Sequence, residues 1–217
     1  MLVLYDTLRS GNAWKVRLLA GLLDLPLERR TLSIDKGDLA QQAFLAIAPM
    51  AHVPVLRLQD GTHLAESMAI LHYLARGTSW WPDDALAQAQ VLSWLSFEQD
   101  RHMKPLAQLR LHLALHKCGD PQSEPFLGYA KAARAALRVL EAQLRRQGES
   151  GWVATSHGPS IADVALYPYT RMAPMGGIGL EPYPAIQDWL RRIEGLSGYQ
   201  ALFPGQPERN LSTEEHL

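Results

Sequence analysis

Strand-forming patterns occupy only the first 76 residues of this 217-residue chain and vanish beyond Trp80-Trp81-Pro82. A chain so divided cannot build one sheet along its whole length; it has to place a small α/β unit before an all-helical one. Leu2-Val3-Leu4-Tyr5 reads as a buried strand. After the turn-forming Ser10-Gly11-Asn12, apolar Trp14, Leu18, Leu19, Leu22 and Leu23 recur at helical spacing, and Pro26 ends that helix. Leu27 to Ile34 is a second strand, Leu39 to Ile47 a short helix closed by Pro49, and Val53 to Leu58 a third strand. Asp60-Gly61 marks a hairpin turn into a fourth strand at Thr62-His63-Leu64. Glu66 to Arg76 is a helix with Gly77 at its end. The order β-α-β-α-β-β-α implies a parallel first pair, joined through a helix, and an antiparallel last pair.

Gly77 to Asp84 reads as a linker. Ala85 to His116 is one long helical pattern, with a kink expected at Pro105. Further helices are expected over Phe126–Arg146, from Ser160 onward, and over Tyr183–Ile193; Pro168 implies a kink or an early stop in the middle one. The polar residues 205–217 are expected to form a loose tail or a surface strap. The expected domains are therefore residues 1–77, a linker at 78–84 and a helical domain at 85–217.

Composition narrows the function classes. A chain with 47% hydrophobic and 20% charged residues is not disordered. Lys plus Arg is 21 and Asp plus Glu is 22, so the net charge of −1 lacks the footprint of a nucleic-acid or membrane-surface binder. The one cysteine, Cys118, excludes an internal disulfide and a multi-cysteine zinc site. No apolar run approaches the ~20 residues of a membrane span, and no basic stretch precedes the first strand. A soluble, cytoplasmic protein with no nucleic-acid or membrane partner is expected.

Three local motifs carry more. Val53-Pro54 opens the third strand, a place a proline tolerates at an edge. Glu66-Ser67 stands where a short strand meets a helix; the free N–H groups and roughly +0.5 charge of a helix start suit an anion, and the same residues also serve as plain caps. Ser160-Ile161-Ala162-Asp163 has the spacing of a capping box, whose role is folding. Ser10 and Asn12, at the start of the first helix, fit both turn chemistry and donation to a ligand. His112 and His116, four apart on a helix with Cys118 near, invite a metal. No third ligand stands at helical spacing, so solvated or core histidines and no metal are expected.

Together these motifs and this element order resemble the cytosolic glutathione S-transferases, from Leu2 to about Tyr199. The segment Arg9-Ser10-Gly11-Asn12-Ala13-Trp14-Lys15-Val16-Arg17 is similar to that of bacterial serine/asparagine-type members, with some likeness to nu- and zeta-class enzymes. The resemblance implies a thioredoxin-like N-terminal domain and a C-terminal helical bundle. It implies that Pro54 is cis and leaves Val53's backbone outward, so that the cysteinyl part of glutathione pairs there like an added strand. The γ-glutamyl carboxylate would meet Ser67, with Glu66 near the ammonium, and the glycyl carboxylate would meet His52 and Lys36. Ser160 and Asp163 would be structural.

A free thiol has a pKa near 8.5, and each unit of depression stabilises its thiolate by about 1.4 kcal/mol, so the chemistry needs donors at the sulfur. By resemblance these are Ser10, Asn12 or both, while Tyr5 comes too early to be a catalytic tyrosine. The second substrate would lie between the domains, against Trp94, Phe97, Glu98, Arg101, His102 and Pro105. A detoxifying transferase, usually a homodimer, acting on a small electrophile with glutathione as cosubstrate and no metal, is what the resemblance implies. A glutathione-dependent disulfide or peroxide reductase, a maleylacetoacetate-type isomerase and a non-enzymatic interaction module stay open. The absence of cysteine from residues 9–17 argues against cysteine-type members. Gly11 and Asn12, where zeta-class isomerases carry Ser-Cys, put isomerase activity in doubt.

Overall fold

The computed structural model describes residues 1–156 and 158–202, so the expected tail at 205–217 lies outside the described residues. The chain divides into two units: Met1–Arg76 with a returning segment that begins at Ser197, and the residues from Gly77 to Leu196.

The first unit contains β1 (Leu2–Asp6), α1 (Gly11–Leu22), β2 (Leu27–Thr31), a one-turn α2 (Gln42–Leu45), β3 (Val55–Arg57), β4 (His63–Ala65) and α3 (Ser67–Ala75). A 3₁₀ turn at Asp38–Ala40 precedes α2, where the sequence implies a longer helix. The strands form one sheet in the order β2-β1-β3-β4. β1 and β2 are parallel, with Leu2 opposite Leu27, and β3 and β4 form the antiparallel hairpin, both as the connections imply; β3 also runs antiparallel to β1. Val3 and Leu4 point to opposite faces of β1 and are both fully buried, so both faces of the sheet are covered. Phe44 and Ala48, from α2 and the turn after it, pack with Val55 and Tyr5 in one apolar cluster. Nearly every residue of α1 from Gly11 to Ala20 is buried.

α3 packs against α1, and two further features tie α1 down. The segment from Ser197 crosses it: Trp14 Nε1 donates to the Gln200 carbonyl at 2.5 Å, and Arg17 Nη2 to that of Leu202 at 3.4 Å. Gly21 and Gly198 meet there so closely that a Cβ on either would strike the other's backbone oxygen. The sequence assigns all of 85–217 to the helical domain; the segment from Ser197 lies instead with the first unit. Asp6 is the second feature. Fully buried, it accepts from Arg17 Nη1 at 2.6 Å, Arg29 Nε at 3.0 Å and Thr31 Oγ1 at 3.2 Å, tying the end of β1 to α1 and β2. Burial pulls the Arg17 guanidinium below its usual range, and the Asp6 charge opposes this.

The second unit is all helix. α4 (Ala85–Phe97) and α5 (Met103–Leu109) are one continuous helix with wide π turns at Glu98–His102 and Arg110–Leu115. The first π turn sits just before Pro105, whose ring crowds the carbonyl four residues back. α6 (Phe126–Gln147), α7 (Ile161–Arg171), a 3₁₀ turn at Ala173–Gly176 and α8 (Pro184–Glu194) complete the unit. Pro168 does not stop α7: Ile161 to Thr170 are all buried, and that packing carries the helix past the missing N–H. Glu141 on α6 accepts from Ala185 N and Ile186 N and so caps α8.

The capping box is present and does more than cap. Asp163 Oδ2 accepts from Ser160 N at 2.9 Å, and Ser160 Oγ accepts from Ala162 N at 3.2 Å. Asp163 Oδ1 also accepts from Val153 N and Trp189 Nε1, both at 2.9 Å. One carboxylate therefore joins the start of α7, the loop before it and α8. Among the described residues no helix is long and apolar enough to cross a membrane.

Candidate active site

The sheet register gathers the site. Tyr5 pairs with Val55 and Val55 with Ala65, so β1 and β4 end beside the residue where β3 begins. The segments that follow β1 (Ser10 to Asn12), precede β3 (His52 to Pro54) and follow β4 (Glu66-Ser67) therefore emerge at one edge of the sheet. β2 runs parallel to β1, so the loop carrying Lys36 leaves at the same edge.

Ser10 is the N-cap of α1, and its Oγ accepts from Ala13 N at 3.1 Å. Its acceptor side is engaged while its own O–H remains available to donate. Asn12 matches it: Oδ1 accepts from Lys15 Nζ at 2.8 Å, which turns the amide NH₂ the other way. No acidic residue stands in the first turn of α1 to offset the positive end of its dipole. The start of α1 is thus a place of donors, suited to an anion. Lys15 is fully buried on α1, and the sequence reading passed over it. Its only signal there is its spacing of three from Asn12, inside an apolar run.

The Val53–Pro54 peptide is cis, and Pro54 is buried. Among the described residues Val53 makes no backbone hydrogen bond, so its N–H and C=O are open to an extended partner. His52 and Lys36 are exposed on this edge. Glu66, the N-cap of α3, has φ 68 and ψ 119, a region that side chains rarely adopt, and its side chain makes no cap bond. Ser67 follows it, buried in the first turn of α3. A strained residue held at a helix start, with the cap position left open, belongs to the class of geometry that binding sites retain. The Tyr5 ring packs against Phe44 and His63, with centroids at 6.4 and 6.2 Å.

The residues assigned to a second substrate do not converge. Glu98 and His102 are fully buried inside the helical unit, and His102 Nε2 meets Thr170 Oγ1 at 2.9 Å. Those two are corrected to core residues, because they fall on the same helical stripe as buried Val91, Leu95, Leu106 and Leu109. Trp94 lines a cavity of about 810 Å³ with Asp84, Gln143 and Ser160. Phe97 and exposed Arg101 border a separate, smaller hollow of about 240 Å³. Pro105 is buried. His112, His116 and Cys118, by contrast, are brought together, with ligand atoms within 4.8 Å of one another.

With this geometry in place, likeness to known proteins sharpens the reading. The model of the glutathione S-transferase N-terminal domain matches residues 9–76, and that of the C-terminal domain matches residues 127–192. A glutathione S-transferase structure from Pseudomonas fluorescens Pf-5 is 38% identical and superposes with a TM-score of 0.87, covering 93% of this chain and 98% of that one. Glutathione S-transferase theta-1 of Bos taurus is 30% identical over 99% of this chain and 90% of its own length. A probable maleylacetoacetate isomerase 2 of Drosophila melanogaster is 27% identical, over 95% of this chain and 89% of its own length.

Proposed function

The chain belongs to the glutathione S-transferase family, and from that premise we propose that it binds glutathione along the sheet edge and activates its thiol for attack on an electrophilic carbon. The observation that carries this is the register that brings Ser10 and Asn12, Val53 and Glu66-Ser67 to one edge, each with open polar groups of the sign that glutathione needs.

The cysteinyl backbone pairs with Val53 N–H and C=O as an added strand. The γ-glutamyl carboxylate takes the uncapped start of α3 at Ser67, and the Glu66 carboxylate faces its ammonium. His52 and Lys36 meet the glycyl carboxylate. The sulfur then comes to the start of α1, where the Ser10 O–H and the Asn12 NH₂ donate to it. The thiol proton leaves to solvent. The thiolate's electron pair forms the new C–S bond, and the leaving group departs with the electrons of the bond that breaks. Residues 9–17 hold no cysteine, so the reactive sulfur is the substrate's own.

The isomerase reading rests on the likeness to the Drosophila protein. It uses the same thiolate as a nucleophile that adds and then leaves.

The first test is a glutathione titration followed by tryptophan fluorescence and calorimetry. Saturable binding below millimolar concentration is expected; none at several millimolar would leave only an interaction module. Turnover with an aryl halide, an organic peroxide and a cis-dienoic keto acid then separates transferase, reductase and isomerase, and the transferase reading expects the halide to dominate.

A further inference from the structure

We propose that His112, His116 and Cys118 form a binding site for a zinc ion, on the helical unit and independent of the glutathione site. The second π turn, Arg110–Leu115, carries His112, and His116 closes it. Lys117 then adopts a left-handed backbone, with φ 51, and folds the chain back. Cys118 N and Gly119 N both donate to the His112 carbonyl, at 3.0 and 3.3 Å. Gly119 sits close against this return: a Cβ there would lie 2.9 Å from the side chains of Leu113 and Phe126. The fold-back delivers the cysteine to the histidine, with Cys118 Sγ 3.6 Å from His112 Nδ1.

That distance is what a metal asks for. Bonds of ~2.3 Å to sulfur and ~2.0–2.1 Å to nitrogen at a tetrahedral angle put the two ligand atoms about 3.6 Å apart. His116 brings the third ligand atom within 4.8 Å of the others. The two imidazole planes stand at 88°, so their nitrogens can point to a common centre without the rings stacking. Phe126 packs edge-on against His112 at 5.6 Å and fixes that ring. Two imidazoles and one thiolate form a borderline-soft set that selects zinc-like ions over magnesium or calcium. His116 and Cys118 are exposed, so the fourth position faces water. Helical spacing alone argues against the set, because its third member lies past the helix end, where the fold-back brings it in.

The experiment uses the full, reduced chain, freed of metal and without glutathione, which would itself chelate. Cobalt(II) is titrated as a coloured stand-in and then displaced by zinc(II). Uptake of about one cobalt per chain is expected, with a thiolate-to-cobalt charge-transfer band and tetrahedral visible bands that zinc bleaches. Cys118→Ser should abolish the charge-transfer band, and His112→Ala or His116→Ala should weaken binding by about tenfold or more. Circular dichroism checks that these exposed-site variants still fold. A wild type without the charge-transfer band overturns the proposal. So does cobalt bound with equal affinity by Cys118→Ser and by His112→Ala/His116→Ala, since the metal would then sit on other residues.

Discussion

Lys15 Nζ donates to Asn12 Oδ1 at 2.8 Å from a side chain that is fully buried on α1. The contact fixes which end of the Asn12 amide faces outward. Ser10→Ala and Asn12→Ala are each expected to raise the thiol pKa of bound glutathione by about one unit, or about 1.4 kcal/mol. Lys15→Met should raise it by part of that amount, and by nothing further once Asn12 is Ala. Thiolate absorbance against pH reads all four variants. If Lys15→Met adds its full effect on top of Asn12→Ala, Lys15 does not act through the amide.

The φ of 68 at Glu66 places a charged residue where only glycine is at ease. Such strain costs on the order of 1–3 kcal/mol, offset in part by the chain entropy that glycine adds to the unfolded state. Glu66→Gly is therefore expected to stabilise the fold by about 1 kcal/mol while weakening glutathione binding, because the carboxylate that faces the ammonium is gone. Ser67→Ala should weaken binding by about tenfold, with little change in stability. Chemical unfolding and glutathione titration on the same samples decide this. A Glu66→Gly protein that binds as well as wild type would remove Glu66 from the site.

These residues were legible in the sequence to different depths. The parallel first pair and the antiparallel hairpin follow from the connections, but the pairing of β1 with β3, which gathers Ser10, Val53 and Glu66, is a long-range contact that local pattern does not give. Turn and cap chemistry is local, so Ser160 and Asp163 could be read directly. Depth along α4 and α5 could not: Val91, Leu95, Glu98, His102, Leu106 and Leu109 share one helical stripe, and spacing alone does not say that a glutamate and a histidine on it are buried with the apolar residues. Lys15 is hidden for a similar reason, since nothing in an apolar run says that a lysine points inward to a partner. The segment from Ser197 was missed because its contacts with Trp14 and Arg17 span more than 180 residues.

Asp163 is fully buried and accepts from Ser160, Val153 and Trp189. Burial pushes its carboxyl pKa up, and those hydrogen bonds hold it down. Removing it orphans donors on three segments at once. Asp163→Ala should cost about 3–5 kcal/mol, whereas Trp189→Phe, which removes one donor and keeps the ring, should cost about 1–2 kcal/mol. Urea unfolding compares the two. Equal losses would mean that the Asp163 hub is no more than a cap.

Tyr169 gives the helical unit an alkaline limit. Burial pushes its phenol up to about 12; the Arg110 charge works against this, and the Glu98 charge adds to it. An unfolded tyrosine ionises near 10. The folded state holds the proton to higher pH than the unfolded state, so the stability this group contributes is fully present below pH about 10. It is lost as the pH climbs from about 10 to about 12, and the loss is at most about 3 kcal/mol. Tyr169→Phe has no proton to lose. Unfolding free energy measured in urea from pH 9 to 11.5 should therefore fall more steeply in wild type than in Tyr169→Phe. Parallel curves would place the alkaline loss on groups other than Tyr169.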